Sequence, residues 1–309
     1  MNPFASTNQY REKQEKAITA LLFAATAITV FTTFGILFSI LFEAIEFFQI
    51  RSFWYFITGS EWSPGIEDSK FGAVPIFAGT FMITFIALLV AIPVGLGSAI
   101  YMSELASDNI RNIVKPLLEI LAGIPTVVYG FFAALTLAPL VVQVSHFFGL
   151  DASFNSALAC GLIMGVMMIP LISSLSDDVI TAVPDFQRQA ALALGMTQGE
   201  TIRNIVLPSA MPGIISACLL AASRALGETM IVVMAAGLRA NLTWNPLEDM
   251  TTVTVRIVDA MVGDQAFDSP ATLSAFALGL VLFIVTLIIN VFSLIMIRKF
   301  KEKYRINTL

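Results

Sequence analysis

Residues able to do chemistry are few in this chain, and two of them stand where charge is costly. Arg224 and Glu228 lie four residues apart in a run that is otherwise free of charge from 204 to 238. On a helix this spacing places both side chains on one face, although Arg before Glu is the weaker order. An arginine at the centre of a membrane helix carries an insertion penalty of about 2.5–3.5 kcal/mol, so such a residue faces a cavity or a partner. Its guanidinium is a planar fork of donors suited to an oxyanion. A bare carboxylate repels that anion, which suits Glu228 to orienting the arginine or to gating. The competing reading is a self-neutralised pair that only fixes helix packing. Counted from Pro208 at 1.5 Å per residue, Arg224 lies roughly 24 Å along its helix, past the membrane midplane.

Other chemistry is poorly supplied. The single histidine, His146, ends an apolar run and reads as a surface residue. Cys160 and Cys218 sit in apolar runs without C-x-x-C spacing, which excludes a disulfide framework and a Cys/His zinc site. No G-x-x-x-x-G-K-[ST], H-E-x-x-H or G-x-S-x-G motif occurs, so neither ATP binding by a phosphate loop nor an intramembrane hydrolase is expected. Asp177 and Asp178 follow an apolar run and suit an exposed boundary or a coupling-region contact better than acid/base work.

The elements that must position Arg224 and Glu228 are set by composition. Of 309 residues, 57% are hydrophobic and only 13% charged, with mean hydropathy +0.84, too little polar surface for a water-soluble fold. With 17 basic and 22 acidic residues the chain lacks the basic surface that nucleic acid requires. Six stretches without charge can each supply the ~20 apolar residues that cross a ~30 Å hydrocarbon core. Helices are expected over about 17–42, 74–103, 117–144, 153–176, 208–238 and 272–298, in an all-α membrane protein with short segments 1–16 and 299–309 at its ends. The first run is too long for a signal-peptide core and reads as an uncleaved anchor. Placing both termini in the cytoplasm puts twelve basic residues inside, among them Arg111, Lys115, Arg188 and Arg203, against four outside. The outside loops then carry eleven acids: Glu43, Glu46, Glu61, Glu67, Asp68, Asp151, Glu248, Asp249, Asp259, Asp264 and Asp268. That face is either solvated or a docking surface. Trp54, Tyr55, Trp62 and Trp244 in the two long outside connections read as interfacial anchors, or else as contacts to an extracytoplasmic protein. Gly161 and Gly165 form a G-x-x-x-G pair for close helix packing, Ser216, Ala217, Ala221, Ala222 and Ala225 make the fifth helix small-faced, and Pro93, Pro125 and Pro170 are expected to bend their helices.

The segment between the fourth and fifth helices, 185–207, reads as helix, turn, helix. Asp185 can cap a first helix that Gly195 ends; Thr197 and Glu200 form a T-x-x-E capping box; Pro208 suits the first turn of the next span. Gln189-Ala190-Ala191-x3-Gly195-x9-Ile205-x-Leu207-Pro208 resembles the E-A-A-x3-G-x9-I-x-L-P loop of importer-type ABC permeases, with every spacing kept and Gln189 standing for glutamate. The resemblance implies a coupling helix that docks on a cytoplasmic ATPase through Gln189, Ala190, Ala191, Gly195, Thr197, Glu200, Ile205, Leu207 and Pro208. The small alanines would admit the partner closely, and Gln189 would lose any salt bridge the family makes there.

A second resemblance covers the chain from about Phe53 to the last helix. Arg224-Ala225-Leu226-Gly227-Glu228-Thr229-Met230, with Ala122-Gly123-Ile124-Pro125-Thr126-Val127-Val128-Tyr129-Gly130, is similar to the C-type permeases of phosphate-specific (Pst) importers. It implies half of a phosphate path in a bacterial inner membrane. The implied partners are an A-type permease, two ATPase subunits that bind the ATP, and an extracytoplasmic phosphate-binding protein. No cofactor is expected in this chain. Arg224 would then meet the phosphate oxyanion, with Glu228 as its orienting partner or gate. Rival readings are the same machinery for sulfate, molybdate or phosphonate, and a membrane scaffold or sensor subunit.

Overall fold

The computed structural model describes residues 3–65, 69–262, 266 and 269–305. Glu67, Asp68, Asp264, Asp268 and residues 306–309 lie outside the described residues. Among the described residues the fold is all-α apart from one pair of two-residue strands, and six helical segments are long and apolar enough to cross a membrane: Gln14–Ile50, Val74–Leu105, Thr126–Phe147, Ala157–Thr181, Gln198–Leu226 and Pro270–Lys299. "Lower" denotes below the end of the bundle that carries residues 185–208, and "upper" the opposite end.

Helix α1 (Pro3–Ile50) runs well past the charge-free stretch at both ends, since no proline follows Pro3 within it to stop the ladder. In its apolar part Thr26, Thr29 and Thr33 donate their hydroxyls to carbonyls one turn back, leaving none of the three bare in hydrocarbon. After it come α2 (Phe53–Thr58), the antiparallel pair β1 (Trp62–Ser63) and β2 (Lys70–Phe71), and α3 (Val74–Ile100), which ends in a π-helical turn at Tyr101–Leu105.

The third expected helix is two helices. A strongly amphipathic α4 (Asp108–Ala122) stops at Gly123, and the span restarts after Pro125 as α5 (Thr126–Phe132), a π-helical turn and α6 (Ala138–Phe147). Pro125 therefore separates helices rather than bending one: its ring disfavours helical geometry at Ile124 and its nitrogen has no proton to give. Pro93 lies inside α3 and Pro170 inside α7 (Ala157–Thr181).

The core forms where α3 and α7 pack together. Ile83, Ile86, Ala87 and Ala91 of α3 face Cys160, Met164, Met168 and Ile172 of α7, all buried. A Cβ on Gly161 would stand 2.6 Å from the Ile86 Cβ, and one on Gly165 2.8 Å from the Ala87 carbonyl oxygen. The G-x-x-x-G pair thus brings α7 against the α3 backbone, as membrane packing favours.

The upper end is closed by aromatic packing. Phe47 of α1 meets Phe56 and Phe71 edge-on at 5.5 and 5.4 Å, and Trp62, half-buried, packs against the same cluster 5.5 Å from Phe71. Trp54 and Trp244 remain exposed. The second upper loop is tucked in too. Glu248 accepts hydrogen bonds from Asn241 and Asn245, and Thr80 of α3 accepts one from the Val253 amide, which starts α12 (Val253–Val262). Helix α13 (Pro270–Arg305) returns through the bundle and meets α10 (Leu207–Leu226), where the Ser223 hydroxyl donates to Asn290 Oδ1 at 2.8 Å.

Gly161→Val should overpack the α3–α7 contact and cost about 1–3 kcal/mol. Thermal unfolding in detergent should show a clear loss of Tm for Gly161→Val and none for Gly97→Ala, whose added Cβ would meet nothing within 4 Å.

Candidate functional site

Residues 185–208 fold locally for reasons that can be read bond by bond. Helix α8 (Asp185–Ala193) has Pro184 as its N-cap and Asp185 in its first turn; no side chain caps it, so Asp185 is one position too late for the capping role its type suggested. At the other end the Met196 amide donates to the Ala191 carbonyl and the Gly195 amide to Leu192, with Gly195 at φ +87°. This is a Schellman closure, which needs the left-handed conformation that glycine adopts without strain. Thr197 then caps α9 (Gln198–Thr201): its hydroxyl accepts from the Glu200 amide while the Glu200 carboxylate accepts from the Thr197 amide at 2.8 Å. Those two groups of Thr197 hold the Glu200 carboxyl below its ordinary pKa, the backbone bond being the larger cause. A π-helical turn (Ile202–Val206) joins α9 to α10, so Pro208 falls in the first turn of α10.

The segment divides into an anchored side and an open side. Ala191, Ile202 and Val206 are buried, the last against Ala99 of α3, Ile180 and Val183. Gln189, Ala190, Phe186 and Leu194 are exposed, and the last three line a cleft of about 980 Å3 that also borders Ile205 and Pro208. Ala191 is buried at the floor of this cleft, and Ala190 is the exposed one of the two alanines.

Six charged residues near this end pair with partners that sequence patterning did not name. Arg188 of α8 forks onto Glu104 in the π-helical turn that ends α3, with Nη2 2.8 Å and Nε 3.2 Å from Oε1. The same guanidinium donates to the carbonyls of Ile180 and Val183 at the end of α7. Gln198 of α9 donates to the Glu104 carbonyl oxygen at 2.9 Å. Nearby, Asp177 is buried and is paired by Arg111 at 3.0 Å and Lys115 at 3.5 Å, both from α4. Lys115 also holds Asp178 at 3.2 Å, and that hydrogen bond is the main reason its pKa rises above the ordinary lysine value. In the sequence Arg111, Lys115 and Arg188 counted only toward orientation, because partners 66 and 84 positions apart leave no local pattern.

Arg224 and Glu228 are not brought together as an ion pair. Helix α10 ends at Leu226 and Gly227, so the span expected over 208–238 is broken, and a short α11 (Met230–Ala235) follows. The break is held by Glu228, whose buried carboxylate accepts from the amides of Thr229, Met230 and Ile231 at 3.1–3.4 Å. Thr254 of the upper loop donates to the Glu228 carbonyl oxygen at 2.7 Å. Glu228 thus satisfies the amides that a broken helix exposes, a task in which anionic oxygen near a helix N-terminus is favourable. Arg224 is exposed and makes no ion pair among the described residues. It borders a cavity of about 220 Å3 between α4, α7 and α10, with Lys115, Glu119, Ser174 and Asp177 farther along its wall. Such an arrangement can present a fixed cation to an anion along a half-open groove and has no nucleophile and base set for bond making. Among the described residues no three metal-ligating side chains stand together.

Comparison with known proteins agrees with this geometry. Residues 91–305 match the family described as binding-protein-dependent transport system inner membrane component. The probable ABC transporter permease protein YqgH of Bacillus subtilis is 32% identical over 86% of this chain and 82% of its own length. The phosphate transport system permease protein PstC 1 of Mycobacterium tuberculosis is 32% identical over 79% and 82%, and PstC of Mesorhizobium japonicum is 33% identical over 76% and 75%. Among solved structures, a bacterial alginate ABC transporter in complex with its alginate pentasaccharide-bound periplasmic protein aligns over 90% of this chain and 94% of that chain, with TM-score 0.63 and 17% identity, a likeness of fold.

Two predictions test the local geometry. Glu228→Ala, which strips the acceptor from three amides, should cost about 1–2 kcal/mol, and Glu228→Gln, which keeps an oxygen there, should cost less; unfolding in detergent compares them. The capping box contributes stability above the unfolded glutamate pKa of about 4.3 and loses it as pH falls through the lower folded value. Cleavage by an acid protease near residues 195–198 should therefore rise as Glu200 protonates, and Thr197→Val should show the same rise at higher pH.

Proposed function

The chain belongs to the binding-protein-dependent transport system inner membrane component family, and from that premise we propose that it carries inorganic phosphate through the membrane as one permease subunit of an ATP-driven ABC importer. The observation that carries the substrate is the run of relatives named as phosphate transport permeases, aligned over about three-quarters or more of this chain. The permease is a membrane subunit and not an enzyme. Its family works with an ATPase and a substrate-binding protein. The finer assembly follows the C-type resemblance: an A-type permease completes the path, two ATPase subunits bind and hydrolyse ATP below the 185–208 segment, and a phosphate-binding protein delivers from above. This subunit holds no cofactor of its own.

The chain is a multi-pass inner-membrane protein, and the excess of basic residues on the lower side orients that side and both termini toward the cytoplasm. In this frame Gln189, Ala190, Phe186 and Leu194 form the exposed patch on which the ATPase docks, while Gly195 with the Thr197–Glu200 box holds the angle between α8 and α9. Ile205, Leu207 and Pro208 carry that angle into the fifth span. Arg224 supplies the cation of the path in this half. Exposed on its own subunit and facing a groove, it offers its guanidinium to a phosphate oxyanion where a second permease closes the path. Glu228 acts at the break beside it, keeping the end of α10 in place without touching the anion. Binding of ATP favours the state open to the upper side, and hydrolysis resets it.

Uptake of radiolabelled phosphate into vesicles holding the assembled importer tests the reading. ATP-dependent uptake should fall at least tenfold for Arg224→Gln with the complex intact, and sulfate and molybdate in excess should not compete. Unchanged uptake would reduce Arg224 to a packing residue, and competition by either anion would move the substrate to it.

A further inference from the structure

The covalent chain delivers movement of residues 185–208 to the fourth and fifth spans, but the strongest polar contacts of this segment reach the second. Glu104 ends that span in the π-helical turn Tyr101–Leu105, a geometry that leaves its carbonyl without a helical partner and sets its side chain toward α8. Both short helices grip this one residue: α8 through Arg188 on the carboxylate, α9 through Gln198 on the carbonyl oxygen. The Arg188 and Glu104 side chains are 17% and 8% exposed, so the pair is shielded from the water and salt that weaken surface ion pairs.

A buried ion pair adds little net stability once desolvation is counted, and the apolar contacts of Ala99, Val183 and Val206 already join these elements. What the pair adds is direction. A planar fork on a carboxylate fixes distance and angle together, whereas methyl and methylene groups slide. Beyond Glu104 the chain turns through Ala106 and Ser107 into α4, whose Arg111 and Lys115 hold the buried Asp177 and whose inner face walls the cavity that Arg224 borders. A shift at residue 104 therefore reaches α4 directly.

We propose that Arg188 is a positioning residue that transmits movement of the ATPase-docking segment to the second span and α4 through its two-point ion pair with Glu104. The proposal rests on the permease reading above. Glu104→Ala is the informative change, because Arg188 keeps its bonds to the Ile180 and Val183 carbonyls and the segment stays seated on α7, while the second span loses the ion pair and keeps only the Gln198 bond to the residue-104 carbonyl and the apolar contacts of Ala99. In vesicles containing the whole importer, ATP hydrolysis should stay within about twofold of wild type while phosphate taken up per ATP falls about tenfold. Glu104→Asp should recover part of that ratio, and Arg188→Gln should lose it. As a readout independent of substrate, Leu105→Cys in a Cys218→Ser background should change its maleimide labelling rate on ATP addition, and this change should vanish with Glu104→Ala. Uptake and hydrolysis falling in proportion, or an unaltered ratio with an ATP response still present at residue 105, would overturn the proposal. If the wild type shows the ATP response at residue 105 but imports no phosphate, the substrate reading fails while the link stands.

Discussion

Close approach of α3 and α7 is the contact on which the rest of the molecule depends. Lipid offers no hydrophobic drive for two apolar helices to associate, so contact area and backbone proximity must supply it. Gly161 and Gly165 remove the side chains that would hold α7 away from Ile86, Ala87 and Val90, and Met164, Met168 and Ile172 fill the space to either side. Around this pair the remaining spans take their places: α10 against both, α13 against α10 and α1, and the upper loops over the end of α3.

Given a rigid centre, the interruptions in the other spans become useful. The third span stops between Ala122 and Thr126 and the fifth between Leu226 and Met230, and both breaks border the region of Arg224 and its cavity. Broken helices expose amides and carbonyls that lipid cannot satisfy. At the fifth span the Glu228 carboxylate takes three of the amides, and at the third the Tyr129 hydroxyl donates to the Leu121 carbonyl at 2.9 Å. Polar side chains at these breaks thus serve the backbone first, while Arg224 stays exposed beside its cavity.

The lower end has a different logic. There the 185–208 segment is anchored on one side and open on the other, and its anchoring is polar where the spans end and apolar between them. Arg188, Glu104, Gln198, Arg111, Lys115 and Asp177 tie the ends of the second and fourth spans to α4 and to the segment. Such anchoring makes the lower end stiff, because each helix end is fixed both by charge and by apolar contact.

What was legible in the sequence is what depends on neighbours along the chain. The number of spans follows from the absence of charge over six stretches, a solvation cost that each residue bears wherever it packs. The Gly195 turn and the Thr197–Glu200 box follow from bonds that close within five residues. Tertiary structure decided which of the local breakers end a span, since Pro125 and Gly227 do so where the freed backbone groups find partners while Pro93 and Pro170 stay inside their helices. It also decided that Glu228 turns to the amides of residues 229–231 and not to Arg224, that Ala191 faces inward, and that Arg188 meets Glu104 across 84 residues. Ion pairs such as Arg188 with Glu104 in a low-dielectric interior depend on distances between distant parts of the chain, and those distances are set by how the helices pack.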